Sequence, residues 1–190
     1  MSLRQNPYIP VLLTIGCVAA IIALRHRSSQ DTTATLITNN GGGNTMTTDP
    51  KLPRGYRNNN PLNIRISGNA WKGKVSPNTD GAFEQFKSMA YGYRAALATM
   101  RTYIKKYGCN TVSKIISRWA PSNENNTLGY IQHVCDFTGL TPDTIVGRDD
   151  KDTLTKMAYG MSLVENGNKE YTRMLGLPNM ETINEGWRLL

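Results

Sequence analysis

The chain has 190 residues, a formal net charge of +8 and 39% hydrophobic residues, enough for one modest core plus extra segments. Three cysteines (Cys17, Cys109, Cys135) and two histidines (His26, His133) argue against a disulfide framework and a Cys/His metal centre. From Arg54 onward, 18 Lys and Arg stand against 12 Asp and Glu. That balance suits a polyanionic partner (nucleic acid, anionic lipid or carboxylate-rich bacterial wall) without choosing among them.

Tyr8 to Leu24 reads YIPVLLTIGCVAAIIAL, 17 residues without a charge, which is the lower limit for a membrane-spanning helix. Arg4 and Arg25-His26-Arg27 flank it, and no small-x-small cleavage site follows. The stretch therefore reads as an uncleaved anchor, residues 1–27 with the span at 8–24. Residues 28–53 are rich in Thr, Asn, Gly and Ser and read as a flexible linker. Residues 54–190 form the soluble domain.

The domain opens with β signals. Leu62 to Ile66 alternates apolar and polar, Ala70 to Val75 reads as a return strand and Ala82 to Phe86 as a third, with turns at Ser67-Gly68-Asn69 and Ser76 to Gly81. Helical spacing follows. Met89, Tyr93, Leu97, Met100, Ile104 and Tyr107 share a face that Gly108 ends. Thr111 caps a helix bearing Val112, Ile115, Ile116 and Trp119. Asn126 caps one with Tyr130, Ile131, Val134 and Phe137 inward, stopped by Gly139. Asp149 or Asp150 opens a fourth, with Leu154, Met157, Ala158, Met161 and Val164 inward, ending at Glu165-Asn166-Gly167. His133 falls on the third helix as a surface or half-buried residue. The fold class expected is α+β, a small sheet beside a helical bundle.

Three stretches are too specific for plain scaffold: Arg57 to Arg65 (RNNNPLNIR), Trp119 to Thr127 (WAPSNENNT) and Val164 to Gly167 (VENG). With the Phe83…Phe86…Gly92…Arg94-Ala95 spacing, they resemble phage virion proteins that carry a lysozyme-like, peptidoglycan-degrading domain, usually regarded as lytic transglycosylases or muramidases. The likeness covers about Arg54 to Tyr171. The asparagine-rich stretch also resembles the hairpin region of bacterial wall glucosaminidases, where the catalytic glutamate precedes the hairpin; here no glutamate precedes Glu84. The resemblance implies a lysozyme-like fold, a β-hairpin region beside a helical bundle behind one transmembrane helix, and cleavage of the glycan strand without metal or cofactor. It also implies a single-pass protein of a phage's internal membrane. Its partners would be peptidoglycan, lipid through residues 8–24, and capsid proteins, with no specific nucleic acid. The alternative is a non-catalytic virion protein that binds wall or braces capsid to membrane; a nucleic-acid binder is a third reading.

Glycan cleavage needs a carboxyl group that is still protonated at working pH. Glu165 stands in the last helical turn, where the helix dipole disfavours its charge and raises its pKa; the plainer reading is a solvated helix end. Glu124 precedes a helix N-terminus, as anionic stabiliser or base, or simply as a cap. These two are the catalytic candidates, with Glu84 a weaker one. Asn59, Asn60, Asn63, Arg65, Trp119 and Asn125 are the candidate substrate-binding residues. Asn63 and Arg65 share a strand face that is either solvent surface or groove floor, Trp119 is either core or sugar platform, and the asparagines before Pro61, Asn58 among them, also suit turns.

Overall fold

A computed structural model of the chain describes residues 49–123 and 125–190. The expected span 8–24, the linker ahead of Asp49, and Glu124 lie outside the described residues. Seven helices form among them: α1 (Arg54–Arg57), α2 (Met89–Tyr107), α3 (Val112–Trp119), α4 (Thr127–Thr138), α5 (Lys151–Asn166), α6 (Glu170–Met174) and α7 (Met180–Arg188).

The boundaries of α2 to α5 are set by local chemistry. Thr111 Oγ1 accepts the Lys114 N–H at 3.3 Å, Asn126 Oδ1 that of Gly129 at 3.1 Å, and Asp150 Oδ1 that of Thr153 at 3.1 Å. Each such cap contributes about 1 kcal/mol. Gly108 and Gly139 end α2 and α4 at φ 64° and 70°, left-handed values that a side chain would oppose. These helices bury Tyr93, Leu97, Met100, Ile115, Ile116, Val134, Leu154, Met157 and Met161 in one cluster, each contributing roughly 1.5–3 kcal/mol.

The sequence pattern had left the tail unplaced. There α7 packs on α2 and adds Ile183 to the core. Their close approach depends on Gly186, since a Cβ there would stand 2.8 Å from Tyr93 Cβ and 2.9 Å from the Ala90 carbonyl. Two expected inward residues face out instead. Phe137 is exposed and stacks on His133, which is also exposed, and Tyr107 is 47% exposed. Ahead of Arg54, Leu52 is buried and the Tyr171 hydroxyl donates to Asp49 Oδ2.

The α+β expectation is corrected: the described residues are mostly helical and contain no strand. Residues 62–86 hold only isolated antiparallel bridges, Arg65 with Phe83 and Lys74 with Phe86. The physical reason is Asn60. Its Oδ1 accepts the Ile64 N–H at 2.9 Å, and its Nδ2 donates to the carbonyls of Ile64 and Glu84 at 2.9 Å each. The side-chain amide thus separates the Ile64 N–H from the Glu84 carbonyl, while the Ile64 carbonyl still accepts the Glu84 N–H at 2.8 Å and the Ile66 N–H donates to the Ala82 carbonyl at 3.0 Å, which leaves a single bridge at Arg65. Asn63, at φ 49°, breaks the extended conformation in the middle of the expected first strand.

The membrane-spanning part of the expected fold, and the single-pass location drawn from it, are corrected as well. Among the described residues no helix is long and apolar enough to cross a membrane.

Candidate functional site

A cleft of about 280 Å³ opens where the loop after α1 meets the C-terminal ends of α3 and α5. The loop contributes Asn63, Ile64 and Arg65, and α3 and the residue after it contribute Trp119 and Ala120. Thr99 and Tyr103 come from α2, Phe83 and Asn125 from loops, and Glu165 from the last turn of α5.

Among the described residues, Glu165 is the only carboxylate that lines the cleft. The Tyr130 hydroxyl donates to its Oε1 at 2.9 Å and the Asn63 amide to its Oε2 at 2.9 Å. Burial raises its pKa above the ordinary carboxylate range; hydrogen bonds from Asn63, Tyr130 and Trp119 pull the other way without cancelling it. The Tyr130 hydroxyl is itself held well above its usual range, first by burial and then by Glu165, so it stays a donor at neutral pH.

The loop is built to hold Asn63 there. Asn59 takes a left-handed φ of 52°, which asparagine tolerates, and donates to the Phe86 carbonyl at 3.0 Å. Its own carbonyl presses on α2 at Gly92, where a Cβ would lie 2.0 Å from it. Asn166 donates to the Pro61 carbonyl at 2.7 Å and ties α5 to the loop. The side-chain oxygens of Asn63 and Asn166 converge on Gly55 of α1, where a Cβ would come within 2.8 and 2.4 Å of them. Asp80 braces the other side. Burial alone would raise its carboxyl, but Arg54, Asn58 and the amides of Phe83 and Ala82 outweigh that and hold it well below the usual range.

No protein-family model matches the chain. Protein P5 of Pseudoalteromonas phage PM2 is 39% identical to it over 122 residues, 63% of this chain and 74% of that protein. The chain belongs to the family of phage protein P5. Membership of the P5 family bears out the bacteriophage part of the resemblance read from the motifs.

In this P5-family chain, Asn63, Arg65, Trp119, Asn125 and Glu165 come together at the cleft although they are scattered over a hundred residues of sequence. Ile64 joins them, so the cleft wall is not the polar face of an alternating strand. Trp119 does both things its residue type allowed: it packs against the core and lines the cleft, edge-on to Tyr103 at 6.4 Å. Asn59 and Asn60 are buried and bonded to backbone, and neither lines the cleft. Asn58 is buried too, bridging Asp80 and Gln85. Glu84 is buried elsewhere, its Oε1 paired with Lys74 at 2.9 Å. Glu124 lies outside the described residues.

Sequence reasoning missed Tyr130, read only as a core aromatic, and the structural work of Gly55 and Asn166. Asn166 lies inside one of the singled-out motifs, and Gly55 stands two residues before another. Among the described residues there is no cluster of three or more potential metal ligands.

Proposed function

We propose that this P5-family chain is a bacteriophage virion component whose cleft binds the glycan strand of peptidoglycan and cleaves it with Glu165 as general acid. One observation carries the reading. A carboxyl group with a pKa raised by burial stands at the wall of a cleft lined by amide, guanidinium and aromatic groups. Cyclic sugars are bound by such a mixture, with an aromatic face for the ring and planar donors for the hydroxyls.

In the proposed step, the Glu165 proton passes to the glycosidic oxygen as the bond from that oxygen to the anomeric carbon breaks. The sugar's own hydroxyl closes on the anomeric carbon, forms an anhydro ring and returns its proton to the carboxylate. Asn63 and Tyr130 hold the carboxylate in place throughout. This route needs no second carboxylate to activate water, which fits a lining with a single one among the described residues.

The test is to incubate the full-length protein with purified sacculi and analyse the released fragments by mass spectrometry. Anhydromuramic ends are expected. Reducing ends, heavier by one water, would make the domain a hydrolase with a second carboxylate, for which Glu124 is the candidate. No release of fragments would remove cleavage.

A second reading, a non-catalytic virion protein that binds wall or other virion components, is favoured by a separate observation. Both Glu165 oxygens already accept intramolecular hydrogen bonds that join α4, α5 and the loop, which is what a structural clamp does. The relationship to a phage protein supports this reading more directly than it supports cleavage.

A further inference from the structure

A second groove, of about 650 Å³, adjoins the glutamate cleft and shares Tyr103 with it. Helix α3 serves both. Ser113, Lys114, Ser117 and Arg118 line the second groove, while Trp119 and Ala120, at and just past its end, line the first. Two cations and the hydroxyls of Ser113, Ser117 and Tyr103 thus line the second groove, and among the described residues no Asp or Glu lines it.

The arginine is held ready. Arg118 lies 3.4 Å from the Tyr107 ring centre and 5.1 Å from that of Tyr103. Stacking on the rings fixes the guanidinium plane. Its N–H donors meet no acceptor among the described residues. Lys114 Nζ has only the Asn110 side-chain oxygen, at 3.4 Å. A planar fork fixed by stacking, beside an ammonium group and hydroxyls, is complementary to carboxylates.

We propose that the second groove is a subsite for the carboxylate-bearing substituents of the same polymer whose glycan occupies the first cleft, so that the two grooves read one strand across Tyr103. This rests on the glycan reading above. The shared wall argues for one continuous ligand rather than a separate partner. Nucleic acid fits less well, because Arg118 and Lys106, the latter 5.6 Å from the Tyr107 ring, already cover the aromatic surface on which a base would stack.

The experiment measures dissociation constants of the full-length protein for soluble peptidoglycan fragments. One batch keeps its free carboxylates; in the other they are converted to amides with carbodiimide and ammonia. The wild type should bind the free-carboxylate form about five- to tenfold more tightly. The double variant Lys114→Gln/Arg118→Gln should bind both forms as the wild type binds the amidated one. Both residues are exposed, so the fold tolerates the change, and circular dichroism checks it. Equal wild-type affinity for the two forms overturns the subsite and leaves the glycan reading standing. No binding of either form overturns both. If the double variant loses binding to a single-stranded oligonucleotide yet keeps full affinity for the free-carboxylate fragments, the groove belongs to nucleic acid and the proposal falls.

Discussion

Tyr130→Phe isolates the physics of Glu165 with the loss of one oxygen atom. The hydroxyl donates to Glu165 Oε1 at 2.9 Å and favours the charged carboxylate. A hydrogen bond to a charged group contributes about 1.5–3 kcal/mol net, and the open cleft lets water recover part of that, so the lower end applies. At 1.36 kcal/mol per decade, about 1.5 kcal/mol means that Glu165 in the variant keeps its proton down to a roughly tenfold lower proton concentration. The alkaline limb of the pH profile for sacculus clearing should therefore move to higher pH.

Stability gives a second readout of the same bond. Glu165 has a folded pKa above its unfolded one. The associated stability is fully present below the unfolded carboxylate value and is lost as pH rises through the folded value. Removing the donor raises the folded value further and extends that loss. The melting-temperature deficit of Tyr130→Phe against wild type should be small near pH 4 and larger at pH 8. A limb that moves to lower pH, or a deficit equal at both pH values, would refute the argument that this hydroxyl stabilises the ionised acid.

Glu165→Gln should slow sacculus clearing by about 10²–10⁴-fold and flatten the fall in melting temperature between pH 5 and 8; undiminished clearing would leave the non-catalytic reading in its place. Gly55→Ala places a methyl group against the Asn63 and Asn166 side-chain oxygens and should cost about 1–3 kcal/mol, a melting-temperature loss of about 2–4 °C per kcal/mol, with clearing impaired as Asn63 is displaced. Asp80→Asn tests the brace. Its folded pKa is depressed, so its stabilisation is present above the unfolded value and lost as pH falls through the folded one. With Arg54 46% exposed, the variant's deficit in urea unfolding should be about 1–2 kcal/mol at pH 6 and should narrow progressively as pH falls below the unfolded carboxylate value.

What could be read from the sequence was what local chemistry decides. Thr111, Asn126, Asp150, Gly108 and Gly139 mark helix ends through contacts a few residues away, and α2 to α5 start or stop where those residues stand. The strands could not be judged in this way. Leu62 to Ile66 has the alternation of a strand, but Asn60 comes between the Ile64 N–H and the Glu84 carbonyl, and Glu84 lies 24 residues on from Asn60. Phe137 had helical spacing towards the core, yet it stacks on His133 outside, because periodicity sets a face and not its depth. The pKa of Glu165 is raised in the expected direction, through a different cause. The dipole of its own helix suggested the direction, whereas burial, by residues distant in sequence, provides it. Tyr130 could not be told from a core aromatic, because it is one except for its oxygen.

The hydrogen bond between Asn63 and Glu165 spans 102 residues of chain, and that between Asn166 and Pro61 spans 105. Contacts of such separation form only when a long loop has been closed. Until α5 docks against the asparagine loop, Glu165 is an ordinary hydrated carboxylate. The raised proton affinity on which the proposed chemistry depends is conferred by the burial that completes the fold, and the Asn63 amide, arriving with the same contact, tempers it.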